Sequence, residues 1–188
     1  MPAPIMSKED VVALLYETFR KNGYDSASLA ELSKETGLGK SSLYHYFPGG
    51  KEEMALTVLD LVDASMQKDL IEPLLDDAND VSPQVKLERA LETLEGVYAR
   101  GRKGCILGVL SAASSRHRFQ KRLKRSFHAW IEAFARLALE AGLAKETAHA
   151  RAEDAVLRIE GALVVSAGLN DPKPFHRTMA DLRRHFLE

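Results

Sequence analysis

Apolar side chains recur at three- and four-residue steps along almost the whole chain, whereas the apolar–polar alternation typical of strands is nearly absent. Over 188 residues this pattern predicts an all-α protein that is long enough to bury a core. Breaks rich in Gly and Pro divide the pattern into three short helices followed by a larger helical bundle. The predicted helices cover residues 8–22, 28–36, 40–46, 51–72, 83–98, 105–115, 119–141, 145–169 and 174–186.

Several helix boundaries can be predicted from capping residues. Ser7 precedes the first helix with Asp10 three residues later, and Ser28 and Glu31 form a full capping box at the second. Gly37 is placed to end the second helix in a left-handed conformation. Pro73 is expected to end or kink the long fourth helix, with an acidic loop at residues 76–80.

The second and third helices are joined by Gly37-Leu38-Gly39, a connection typical of a helix-turn-helix. The third helix is too short to stand alone, so we expect Leu43 and Phe47, four residues apart, to pack inward. The other side of this helix then carries short polar groups, a cation and amphipathic rings, which suit base edges and phosphates in a major groove. These solvent-facing residues are Lys40, Ser41, Ser42, Tyr44 and His45.

The segments 28–32 and 37–48, followed by Lys51, resemble the DNA-binding domain of TetR-family transcriptional regulators, and Tyr44-His45-Tyr46-Phe47-Pro48 is the most diagnostic part. Many members have one residue between this proline and the lysine. Gly49-Gly50 supplies two here, which resembles the subgroup of YxaF- and LmrA-type repressors. Gly39 stands where the family often has Ser, so the third helix is expected to lack a side-chain N-cap.

The resemblance implies a helix-turn-helix DNA-binding domain at residues 1–50 and an effector-binding and dimerisation domain at 51–188. Ser28 matches a hydroxyl residue that touches phosphate, and Lys51 matches a lysine that contacts phosphate at the start of the fourth helix. The start of the third helix matches the positions that contact bases. The implied DNA-binding residues are Ser28, Lys40, Ser41, Ser42, Tyr44, His45 and Lys51.

The family also implies a homodimer that pairs through the last two helices, an operator of double-stranded DNA, and a small apolar or aromatic effector. Small residues recur along 145–169, which would let another helix approach closely, while the apolar residues of the last helix suit packing within the chain. The resemblance implies that aromatic and apolar residues line the effector site, whereas their helical spacing taken alone favours ordinary core. The candidate ligand-binding residues are Met66, Leu70, Tyr98, Cys105, Leu107, Phe127, Trp130 and Phe134.

Cys105 and a basic cluster at residues 116–125 each allow two interpretations. Cys105, the single cysteine, lies at a predicted helix start beside Arg102 and Lys103, which would favour a reactive thiolate; the alternative is a small buried side chain. The basic cluster fits a solvated helix boundary, and a second DNA contact or an anionic effector site are the alternatives.

The charge and the motif content limit the classes of function that the sequence allows. The net charge is −1, and residues 1–53 carry six cations against eight carboxylates, so specific binding with modest non-specific affinity is expected. There is no nucleotide-binding, metal-binding or hydrolase motif, which predicts a protein that is not an enzyme and needs no metal or cofactor. Without a signal peptide or membrane span, we expect a soluble cytoplasmic protein.

The sequence therefore predicts a ligand-responsive transcriptional regulator, with repression expected because most similar regulators repress. Two alternatives remain open: a helical ligand-binding or protein-interaction module that does not bind DNA, and a redox-sensing regulator that uses Cys105.

Overall fold

A computed structural model describes residues 6–76 and 81–188, and within these ranges the regular structure is entirely helical. The all-α prediction is therefore confirmed. One five-residue π-helical segment, Gln67–Ile71, joins α4 to α5, and a 3-10 turn, Arg116–Arg118, precedes α8. The α-helices are α1 Lys8–Asn22, α2 Leu29–Thr36, α3 Lys40–Tyr46, α4 Gly50–Met66, α5 Glu72–Leu75, α6 Pro83–Val97, α7 Ile106–Ala112, α8 Gln120–Glu140, α9 Lys145–Leu169 and α10 Lys173–His185.

The chain divides into two compact units. The first contains Met1–Asp63 and Ile106–Leu123, and the second contains Ala64–Cys105 and Lys124–Glu188. The first unit thus combines the predicted helix-turn-helix with α7 and the 3-10 turn, which lie more than forty residues further along the chain. The functional boundary at residue 50 stays a prediction.

The predicted caps form as the side chains dictate. The Ser7 hydroxyl accepts the Asp10 N–H, and at α2 the Ser28 hydroxyl accepts the Glu31 N–H while the Glu31 carboxylate accepts the Ser28 N–H. Gly37 closes α2 at a φ of 68°, in the left-handed region that glycine tolerates without strain. These contacts explain why both helices begin where the sequence predicts.

Pro73 does not end the helix: the chain remains helical to Leu75. The proline ring would clash with the Asp69 carbonyl four residues earlier in a regular α-helix, and proline has no N–H to donate to it. The π-helical segment Gln67–Ile71 widens the helix directly before the proline and so removes this conflict. Of the predicted acidic loop, residues 77–80 lie outside the described residues.

Each unit has its own core. In the first, α1 to α3 bury Leu15, Phe19 and Leu32 completely. In the second, α9 and α10 pack against each other, α9 buries several alanines, and residues 173–186 bury large apolar side chains. These buried side chains are Ala148, Ala152, Ala155, Phe175, Met179, Leu182 and Phe186. No helix of the described chain is long and apolar enough to cross a bilayer.

Candidate nucleic-acid interface

The short helix α3 has one buried and one exposed side. Leu43 and Phe47 are fully buried, as predicted, and hold the helix against the rest of the first unit. The predicted contact residues on α3 are all exposed, and Tyr44 is 45% accessible. These exposed residues are Lys40, Ser41, Ser42, Tyr44 and His45. The arrangement leaves the polar side of a rigidly held helix open to a partner.

The turn between α2 and α3 is held by side-chain hydroxyls. Thr36 donates its hydroxyl to the Leu32 carbonyl at 2.6 Å, and its oxygen accepts the Leu38 N–H at 3.4 Å. Ser33 donates to the Leu38 carbonyl at 2.5 Å. Gly39 occupies the N-cap of α3 without a side-chain hydrogen bond, which confirms the missing cap. These hydrogen bonds restrain the turn that joins the two helices.

Gly49 and Gly50, at the entrance to α4, have structural roles. Gly50 has a φ of 68°, and a Cβ atom there would lie 3.4 Å from a ring carbon of Tyr44. The Gly49 N–H donates to the Glu53 carboxylate at 2.6 Å, which caps the entrance to α4. Glycine thus lets the chain turn sharply while Tyr44 keeps its position on the exposed side of α3.

Lys51 is less exposed than the resemblance suggests. Its ammonium donates to the carbonyls of Tyr24 at 2.8 Å and Ala27 at 3.0 Å, and it lies 4.4 Å from the centre of the Tyr24 ring. Burial lowers the pKa of Lys51, and the nearby Asp25 carboxylate opposes that shift. An ammonium has three donors, so one remains for a phosphate while the other two hold the loop before Ser28.

A second set of contacts in the first unit was not predicted from the sequence. The Asp25 carboxylate accepts the Ser114 N–H at 2.7 Å and the Ser115 hydroxyl at 2.5 Å. Arg118 forms an ion pair with Glu52 at the start of α4. Because these partners lie 66 to 90 residues apart, helical periodicity could not have revealed them. They fasten the segment after α7 to the loop that precedes α2 and to the start of α4.

The predicted effector residues are mostly buried. Seven of the eight belong to the second unit, and Leu107 belongs to the first. Phe127 is half-buried, while the others are at most 6% exposed. Their burial is compatible with either core or pocket lining, so their role as ligand contacts stays a prediction. The residues are Met66, Leu70, Tyr98, Cys105, Leu107, Phe127, Trp130 and Phe134.

A surface depression in the second unit differs in character from the predicted effector site. It is open to solvent and includes Glu92, Glu95 and Arg100 in its lining. Charged walls suit a polar solute better than an apolar one. None of the eight predicted effector residues lines this depression.

Cys105 lies immediately before α7 and is 6% exposed, next to a buried acid. Its side chain hydrogen-bonds to the Glu160 carboxyl group, whose other oxygen, Oε1, is buried without a hydrogen-bond partner in the described chain. Burial raises the pKa of Glu160, and the Cys105 contact partly opposes that rise. The burial of Cys105 also disfavours a thiolate, because a charged sulfur loses its hydration there.

Comparison with known proteins agrees with this geometry. Residues 11–58 match the family described as bacterial regulatory proteins, tetR family, and residues 86–181 match the C-terminal domain described as transcriptional regulator LmrA/YxaF-like. The chain is 27% identical to the HTH-type transcriptional regulator YxaF of Bacillus subtilis, covering 89% of this chain and 88% of that one. It is 25% identical to LmrA of the same organism, covering 89% and 90%.

Solved structures give the same fold. A TetR transcriptional regulator from Legionella pneumophila superimposes with a TM-score of 0.84 at 17% identity, covering 97% of this chain and 98% of that chain. The regulatory protein TetR from Rhodobacter sphaeroides gives a TM-score of 0.78 at 25% identity, covering 94% and 97%. The family assignment confirms the expectation of a regulator that is not an enzyme. With a helix-turn-helix at its N-terminus and an LmrA/YxaF-like C-terminal domain, the chain belongs to the TetR family of bacterial transcriptional regulators.

Proposed function

We propose that this protein is a cytoplasmic, ligand-responsive repressor that binds a palindromic operator as a homodimer and leaves it when a small molecule binds the C-terminal domain. The proposal rests on one observation: the polar side of α3 is exposed to solvent, while Leu43 and Phe47 are fully buried and hold the helix in place. Such a helix can enter a major groove without rearranging its own core.

The seven proposed contact residues divide into three groups by position and chemistry. Lys40, Ser41 and Ser42 in the first turn of α3 reach base edges, since short hydroxyls and a cation match the acceptors of the major groove. Tyr44 and His45 lie further along and contact bases or the neighbouring backbone. Ser28 and Lys51 meet phosphates on either side of α3 and set its register on the duplex.

The dimer is supported by an apolar face on α9 that nothing within the described chain covers. Leu157 is 65% exposed, Val164 69% and Leu169 64%, and Val165 is 49% exposed. Gly161 is exposed on this same side and would admit a second helix closely. Soluble proteins seldom leave such a stripe to water, and a two-fold axis along it lets each copy cover the other.

The effector is an apolar or aromatic small molecule, because the candidate contact residues are aromatic or aliphatic apart from the Cys105 thiol. Binding stabilises a conformation of the dimer in which the two α3 helices no longer fit successive half-sites. Release then follows from the difference in effector affinity between the two conformations.

The test is selection of bound sequences from a random duplex pool, followed by gel shifts on the selected sequence and screening of aromatic compounds by thermal shift. A palindrome with half-sites separated by a multiple of about 10 base pairs is expected, together with release by any compound that raises the melting temperature. Recovery of no sequence preference would refute the regulator and favour the alternative of a helical module that does not bind DNA.

The redox alternative is disfavoured by the burial of Cys105 and its Glu160 partner. A Cys105→Ser variant is expected to leave the operator in response to the same compounds as the wild type. Loss of release in that variant, with operator affinity intact, would instead support thiol sensing.

A further inference from the structure

The strongest charged patch of the first unit is the basic turn, defined here as residues 114–122. It carries four cations and no carboxylate, whereas residues 1–63 carry six cations against ten carboxylates. The unit that contains the helix-turn-helix is therefore electrically balanced only when this turn is included. A DNA-binding unit gains most of its backbone affinity from such cations.

The basic turn is fixed within the first unit. Asp25 binds its first residues through the Ser114 N–H and the Ser115 hydroxyl, and the Ser115 hydroxyl is the main cause that lowers the pKa of Asp25. Arg118 pairs with Glu52, and Arg122 pairs with Asp60. Asp25 lies three residues before Ser28, and Glu52 is adjacent to Lys51. The turn is thus held beside both predicted phosphate contacts.

The cations of the turn serve two purposes. Arg118 and Arg122 neutralise carboxylates on α4, which would otherwise repel a phosphate approaching Lys51. Arg116 and Lys121 are exposed and have no ion pair within the described chain. His117, also exposed, adds a third donor at the same place. Exposed cationic side chains on a fixed backbone can reach phosphates without needing a defined base sequence.

We propose that the basic turn is a second phosphate-contacting element, which binds the duplex backbone flanking the bases that α3 reads. The inference rests on the proposed operator binding and extends the footprint of each protomer beyond the helix-turn-helix. It assigns Arg116 and Lys121 a role in affinity but none in base preference, because they meet phosphates alone.

The test compares a double variant, Arg116→Gln with Lys121→Gln, with a control of equal charge change, Arg89→Gln with Lys145→Gln, whose residues are exposed in the second unit. Affinity for the selected operator is measured by fluorescence anisotropy between about 50 and about 200 mM salt. The slope of log affinity against log salt should become shallower by about 1.8 per protomer in the first variant, at ~0.9 per phosphate contact, and stay at the wild-type value in the control. The ratio of operator to scrambled-duplex affinity should be unchanged in both.

A wild-type salt slope in the first variant would overturn the proposal, as would an equal loss in the control. Altered release by an effector with the slope preserved would also overturn it and would mark the turn as an anionic effector site. Failure of the wild type to bind any duplex is a different result, because it refutes the regulator itself rather than the role of the turn.

Discussion

The apolar face of α9 leads to a quantitative prediction for Val164→Glu. Val164 is 69% exposed in the single chain. At about 2 kcal/mol for complete burial of a valine, covering it in a dimer contributes about 1.4 kcal/mol per copy. Two-fold symmetry doubles this to about 2.8 kcal/mol, which is about a hundredfold in the dimer dissociation constant. The two introduced carboxylates add a desolvation cost, so the hundredfold change is a lower bound.

The measurement is sedimentation equilibrium over a range of protein concentrations, with circular dichroism to verify that helicity is kept. Val85→Glu is the matched control, since Val85 is an exposed valine on α6 and lies outside the proposed interface. Val164→Glu should dissociate at concentrations where the wild type and the control remain dimers, and its operator affinity should fall with it. An unchanged dissociation constant would refute the assignment of this face to dimerisation.

Three further predictions concern the folding of each unit. Leu43→Ala removes a fully buried side chain beneath α3 and should destabilise the protein by about 2–5 kcal/mol in urea unfolding, whereas a loss under 1 kcal/mol would mean that α3 is loosely packed. Ser28→Ala removes both a cap and a predicted phosphate contact, so it should cost about 1 kcal/mol of stability in the same assay and also weaken operator binding; normal stability would contradict the capping box. Burial raises the pKa of Glu160, so the folded state favours its protonated form and this stabilisation is lost as the pH rises through the raised pKa. Glu160→Gln cannot ionise, so its melting temperature minus that of the wild type should increase between about pH 5 and about pH 8. A difference that stays constant over this range would argue against the raised pKa.

The local parts of the fold could be predicted from the sequence because their causes are local. The bounds of α3 and α9 follow from Gly and Pro breaks and from helical periodicity, and the α2 capping box from Ser28 and Glu31. The rule that proline ends an α-helix fails at Pro73, because a π-helical segment relieves the clash that would otherwise end the helix. That choice depends on how the surrounding side chains pack, which no local pattern encodes.

Long-range contacts in the candidate site were beyond prediction for the same reason. Nothing near Asp25 in the sequence indicates that it binds Ser114 and Ser115, and nothing near Lys51 indicates that two carbonyls occupy its ammonium. The small residues of 145–169 predict close helix contact, but their spacing does not show which of them are buried. Only the structure separates the alanines that face the core from Gly161 on the exposed side.

The central claim is that the exposed side of α3 reads base sequence, and the ratio of affinities for the selected operator and a scrambled duplex tests it most directly. The variant to measure combines Lys40→Ala, Ser42→Ala and Tyr44→Ala, all at exposed positions, so helicity and thermal stability should match the wild type. We expect the ratio to fall steeply toward 1 in this variant, because three of the five proposed base contacts are removed and the phosphate contacts that remain do not distinguish sequences. A ratio as high as that of the wild type, in a variant that is equally well folded, would contradict the account.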